Sequence, residues 1–252
     1  MFFRSLGLVP LFLSLFFSFI SVSWGENRTL VFPYQRTTFI EGEKSVSFRI
    51  LNDTDKTPYL MQSSVELLDE GSGLDVKENN INIPFMVTPP LHKLEAGNSY
   101  TWRVMFIGDS DKLAKDRETV YIVKYRAIPP LDKNMRENNS SIDVNTIQVL
   151  HFKVYYRPKQ FANLTIENEQ KKISFRREGN NIIVKNNSPI YMSFESLAVN
   201  GVSVDYKELF KPIKPLSEQI FISDSKIRDV NTITWSVLDE LVLELPKNTS
   251  TL

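Results

Sequence analysis

The chain has 252 residues, with 30 basic and 30 acidic side chains, 42% hydrophobic residues and no cysteine. That length allows two domains of ordinary size, and the balanced charge offers no attraction to nucleic acid or to an anionic membrane surface. The lack of cysteine excludes a disulfide framework and a thiol nucleophile.

Residues 1–25 read as a secretory signal: Arg4, an apolar run from Leu6 to Val22, then Ser23-Trp24-Gly25 with small residues flanking the expected cleavage site. The run is shorter than the ~20 residues of a spanning helix, and no later stretch is apolar enough to span. An exported protein beginning near Glu26 is expected, with no membrane insertion. Removing Arg4 leaves one acidic residue in excess. Asn-x-Ser/Thr triplets start at Asn27, Asn52, Asn163 and Asn248; they arise by chance in an Asn-rich chain and become glycan sites only in a eukaryotic secretory pathway.

From there short alternating segments dominate. Val46, Phe48 and Ile50 alternate with Ser45, Ser47 and Arg49, and Trp102, Val104 and Phe106 with Thr101, Arg103 and Met105. Tyr121, Val123 and Tyr125 repeat the pattern, followed by Ile173 and Phe175, Ile182 and Val184, and Ile233, Trp235 and Val237. This is the period of half-buried strands separated by turns. Asn200-Gly201, between Leu197-Ala198-Val199 and Val202-Ser203-Val204, predicts a hairpin of the type I′ kind. Only Ser110–Asp116 suggests a short helical turn. The stretch Leu131–Ser141 is almost wholly polar and predicts a long loop, a feature often tied to function.

Phe152-Lys153-Val154-Tyr155-Tyr156-Arg157-Pro158 reads as a strand closing a domain. Alternation puts Lys153, Tyr155 and Arg157 on one face and Phe152, Val154 and Tyr156 on the other, and Pro158 removes a ladder donor. About seven strands on each side of Pro158 favour two β-sandwiches over one large sheet, with domains at 26–157 and 158–252. The two cations are either solvated strand residues or placed charges, one in a ligand cleft and one at a hinge.

Catalytic signatures are missing. The two histidines, His92 and His151, are far apart, and there is no His-Glu-x-x-His, phosphate loop or nucleophile elbow. His92, beside Lys93 in a Pro-rich turn, is expected at the surface. Gly108-Asp109-Ser110 opens like one hydrolase motif, but the turn after a strand accounts for it. The residues point to binding, with no enzyme activity, metal or cofactor expected.

Several stretches in order resemble the periplasmic chaperones of the chaperone–usher pathway, the PapD-like family. They are Arg36-Thr37-Thr38-Phe39, Val87–Gly97, Lys115-Asp116-Arg117-Glu118, Tyr125–Pro130, Phe152–Pro158 and Asn186-Asn187-Ser188-Pro189-Ile190-Tyr191. The resemblance implies two immunoglobulin-like β-sandwiches in an angled, boomerang arrangement. It implies pilus assembly in the periplasm, with fimbrial subunits and an outer-membrane usher as partners. Subunits lacking a last strand expose a groove that would otherwise aggregate, and the chaperone lends an edge strand to it.

Carried over by residue, Arg36 and Lys153 match the two cations anchoring the subunit's C-terminal carboxylate. Glu118, Arg157 and Asp239 match an interdomain ionic cluster. The lent strand falls in Ile142–Leu150, where one parity presents Ile142, Val144 and Thr146 and the other Ile147 and Val149; the first set is favoured, the second is the alternative, and a bulge could switch the face between them. The loop after Pro130 is longer than in the short-loop subclass, yet the cysteine pair of the long-loop subclass is absent, so the fibre type stays open. So does capping of the free protein as a homodimer. Two competing readings remain: a secreted two-domain immunoglobulin-like adhesion or receptor module, and a degenerate hydrolase at Ser110 with no partner for its nucleophile.

Overall fold

A computed structural model describes residues 29–32, 36–73, 76–77, 83–130, 146–179, 181–223 and 232–252. The expected signal at 1–25, the polar loop and the donor positions Ile142 and Val144 lie outside the described residues.

Strands before Pro158 build one pair of sheets. The smaller holds β1 (Leu30–Val31), β3 (Ser45–Asn52), β8 (Ser99–Phe106) and β6 (Phe85–Thr88) in that order. The larger runs β2 (Thr37–Ile40), β10 (Gln148–Arg157), β9 (Thr119–Ile128), β4 (Tyr59–Leu68), β5 (Val76–Lys77), with β7 (Leu91–Leu94) also pairing β4. Inward residues of both sheets meet in a core of Phe39, Phe48, Ile50, Met61, Trp102, Val104, Tyr125, Val154 and Tyr156. Many of its aromatic rings meet edge to face, as in Trp102–Tyr125 at 5.3 Å and Phe39–Phe85 at 5.1 Å. On β3 and β8 the period-two expectation holds: Phe48, Ile50, Trp102 and Val104 are buried while Ser47, Arg49, Thr101, Arg103 and Met105 are exposed.

After Pro158 the chain makes a helical turn, α1 (Ile166–Glu169), capped by the Thr165 side chain. A second sandwich follows. One sheet is β11 (Ile173–Glu178), β12 (Asn181–Asn186) and β15 (Ser217–Ser223); the other is β14 (Val202–Ser203), β13 (Phe194–Val199), β16 (Thr232–Val237) and β17 (Asn248–Thr251). Between β14 and β15 lies a short helix, α2 (Tyr206–Leu209). Ile182, Val184, Ile190, Phe194, Leu197, Phe221, Ile233 and Trp235 fill this core. The hairpin forms where its dipeptide predicts it: β13 and β14 pair around Asn200 at φ 49° and Gly201 at φ 80°, the two positive values a type I′ turn requires.

Strand β9 departs from the half-buried expectation. Val120, Tyr121, Ile122 and Val123 are all buried, because its second face is covered too. Val120 and Ile122 join Leu68 and Tyr155 against Tyr191 of the second sandwich, so a small apolar cluster seals the two domains together. His92 also differs from expectation: it sits on β7, half-buried, with its ring 3.7 Å from that of Tyr100. Asn52 is fully buried and its amide donates to the Thr57 and Leu94 carbonyls, so its triplet is no glycan acceptor.

A candidate peptide-binding cleft between the two sandwiches

Strand β2 runs parallel to β10 only over Thr37–Ile40 against Val154–Arg157. Below that register, Gln148–Lys153 of β10 pairs with β9 on one side and has no strand on its other side among the described residues. Unpaired strand edges template pairing with another chain. Leu150 and Phe152 pack on the core from this segment, which turns the opposite parity outward. Ile147 and Val149 are therefore exposed at 45% and 46%, on the parity of Lys153. Thr146 is exposed as well, but it shares the core-facing parity. The apolar pair ranked second on sequence is thus the one that the described edge presents.

The open edge leads into a cavity of about 260 Å³ walled by both sandwiches. Arg36, Lys153 and Tyr155 line it from the first, Ser193, Leu238 and Asp239 from the second. Arg36 precedes β2, and its backbone N–H donates to the Glu240 carbonyl at 2.9 Å, tying it to the second domain. Its guanidinium lies 3.6 Å over the Tyr155 ring, a favourable cation–π geometry. Nη2 meets Glu118 Oε2 at 2.5 Å, while Nε is buried and finds no acceptor among the described residues. Burial opposes the charge on Arg36, but the Glu118 carboxylate together with Tyr155 and Glu240 outweighs it and the pKa is raised.

Lys153 is half-buried on the same wall, and its ammonium has no anionic partner among the described residues. Burial first, then the neighbouring Arg36 cation, lowers its pKa to about 8. A cation held in this way is ready for an anion: desolvation has already been incurred, and an arriving carboxylate would remove the repulsion. Arg36 and Lys153, 117 positions apart in the chain numbering, thus share one cavity.

Glu118 is the hub behind it. Its Oε1 accepts from Arg157 Nε at 2.8 Å, and its Oε2 from the Tyr191 backbone N–H at 2.7 Å as well as from Arg36. Its own N–H donates to the Pro189 carbonyl at 2.8 Å, and Arg157 Nη1 donates to Leu164 at 2.8 Å. Glu118 and Arg157 are buried. One carboxylate with two guanidinium partners and a backbone amide satisfies the condition under which buried charge is tolerated.

Asp239 does not join this group. Its Oδ1 accepts from the Leu241 and Leu243 amides, both at 2.8 Å, because aspartate readily caps its own tight turn. The turn includes Val242 at φ 63°, a costly conformation for a β-branched residue. The third charged member of the cluster is instead Arg36, expected from the sequence at the cleft. Sequence reasoning also missed Glu240, whose Oε1 accepts from the Ile166 amide at 2.8 Å. Its contacts run to main-chain groups, which leave no mark in a sequence. Ser110 begins a 3₁₀ turn capped by Asp109, as a turn after a strand requires.

Comparison with known proteins bears on this geometry. Residues 30–162 match the family model described as pili and flagellar-assembly chaperone, PapD N-terminal domain, and residues 168–241 match that of the pili assembly chaperone PapD, C-terminal domain. The chain is 26% identical over 242 residues to a probable fimbrial chaperone protein, ElfD, of Escherichia coli O157:H7, covering 96% of this chain and 95% of that one. It is 26% identical over 229 residues to the chaperone protein MrkB of Klebsiella pneumoniae, covering 90% and 94%. A chain in a structure of Salmonella enterica SafA pilin in complex with the SafB chaperone superposes with a TM-score of 0.74 at 23% identity, over 89% of this chain and 96% of that one. That last likeness bears on the fold.

Proposed function

This chain belongs to the PapD-like family of pilus-assembly chaperones and is a chaperone for pilus subunits, and we propose that it captures them in the periplasm by lending the open edge of β10. The lent strand supplies backbone hydrogen bonds and outward apolar side chains to the subunit's groove. Ile147 and Val149 contribute from the described part of the edge. Arg36 and Lys153 take the subunit's C-terminal carboxylate, which fixes the register, since a slip of one residue would turn every side chain over. The chaperone then delivers the subunit to an outer-membrane usher. No catalytic step is involved.

One observation carries this reading. Among the described residues, a half-buried ammonium without an anionic partner stands beside a second cation, at the inner end of a strand edge that lacks a neighbour. A surface lysine needs no such placement. The test is co-expression with a fimbrial subunit and isolation from periplasmic extract. A one-to-one complex that is lost on Arg36→Ala, while the free chaperone stays folded, is the expected result. Undiminished capture by that variant would overturn the anchor assignment.

A further inference from the structure

The two sandwiches touch at a second place that the ionic cluster does not explain. After β4 the chain turns through Asp69–Gly73, and Gly73, buried at φ 73°, donates its N–H to the Asp69 carbonyl at 2.9 Å. A Cβ at Gly73 would stand 1.9 Å from the Phe210 carbonyl oxygen and 3.1 Å from Lys211 Cα. This turn of the first domain is therefore seated directly on the backbone of the second. Only a residue without a side chain permits so close an approach. Beside it the Tyr191 hydroxyl donates to Glu70 Oε1, and Lys214 Nζ lies 3.7 Å from Glu70 Oε2.

Tyr191 connects this contact to the cleft. Its hydroxyl is on Glu70, its backbone N–H is on Glu118, and its ring lies 5.7 Å from the Tyr155 ring that carries the Arg36 guanidinium. We infer that the Asp69–Gly73 turn is a second interdomain latch, in which Glu70, Gly73 and Tyr191 are positioning residues that set the cleft for carboxylate capture. The inference rests on the proposed anchor role of Arg36 and Lys153, though the orientation of the domains can be measured without it. Interlocking packed contacts have discrete arrangements rather than a continuum. Loss of the latch should therefore let the second sandwich rotate on the first and carry the Ser193, Leu238 and Asp239 wall of the cleft away from Arg36 and Lys153.

The experiment compares Glu70→Ala, Glu70→Gln, Gly73→Ala and Tyr191→Phe. Residual dipolar couplings report the mutual orientation of the sandwiches in the free protein, and calorimetric titration with a peptide of the subunit's C-terminal strand reports capture. Glu70→Ala, Gly73→Ala and Tyr191→Phe should reorient the domains and weaken capture by on the order of tenfold, the usual range of coupling between sites. Glu70→Gln keeps an acceptor for the Tyr191 hydroxyl and should restore both orientation and capture, which a role in mere stability would not demand. Unchanged couplings in Glu70→Ala and Gly73→Ala would overturn the latch whatever the binding data show. Wild-type protein that fails to bind the peptide would instead count against the anchor, with the couplings still deciding the latch. Should Gly73→Ala fail to fold, Glu70→Ala at its half-exposed position decides alone.

Discussion

Replacing Lys153 by methionine should strengthen the free protein while weakening its hold on a subunit. Methionine keeps the length of the side chain and removes the charge. The lowering of the Lys153 pKa from 10.5 to about 8 means that the folded state disfavours the ammonium. At about 1.36 kcal/mol per unit, less a discount for partial exposure, that cost is roughly 1–2 kcal/mol at neutral pH. The methionine variant should gain about that much stability. The sign of the pH dependence follows from the same shift. Between about pH 8 and 10.5 the unfolded chain holds the Lys153 proton and the folded protein does not, so wild-type stability should rise across that window. The variant should show no such rise from this site. Capture should move the other way, because a charge-assisted hydrogen bond of about 1.5–3 kcal/mol is lost, equivalent to roughly 10- to 150-fold in Kd. Denaturant unfolding at pH 7 and pH 9.5, with calorimetric titration of a peptide carrying a free C-terminal carboxylate, reads both arms. A destabilised variant, or one that binds the peptide as tightly as wild type, would refute the reasoning.

Two further outcomes are expected. Glu118→Ala leaves Arg36 and Arg157 buried without their shared carboxylate, so the first domain should lose about 3–5 kcal/mol, checked by unfolding monitored through hydrogen exchange on β9 and β10; a loss under 1 kcal/mol would show that water reaches the cluster. Val149→Asp places a charge on the exposed face of the open edge, and stability should change by less than about 0.5 kcal/mol while co-purification of a subunit is lost. Retention of the complex would remove Val149 from the lent strand.

Much of the architecture follows from local rules that a sequence carries openly. Alternation at Phe48, Ile50, Trp102 and Val104 places these side chains in a core because the strand period is two, and Asn200-Gly201 makes its hairpin because its backbone admits positive φ at both positions. The strand end at Arg157 before Pro158 is legible for the same kind of reason. Arg36, Glu118, Lys153 and Arg157 could be singled out because their short flanking motifs resemble a family pattern.

What the linear order could not settle is which charge meets which. Asp239 lines the same cavity as Arg36 and Glu118 lies behind it, and which carboxylate takes the guanidinium depends on turn geometry: Asp239 is taken by the amides of its own turn, and Arg36 is left for Glu118. The burial of both faces of β9, and the seat of Gly73 against Phe210, depend on a second domain whose approach no residue of the first domain encodes locally. Propensity and patterning act over a few residues, so they determine elements and cores. Electrostatic pairing and interdomain contact act through space, and only the folded chain decides them.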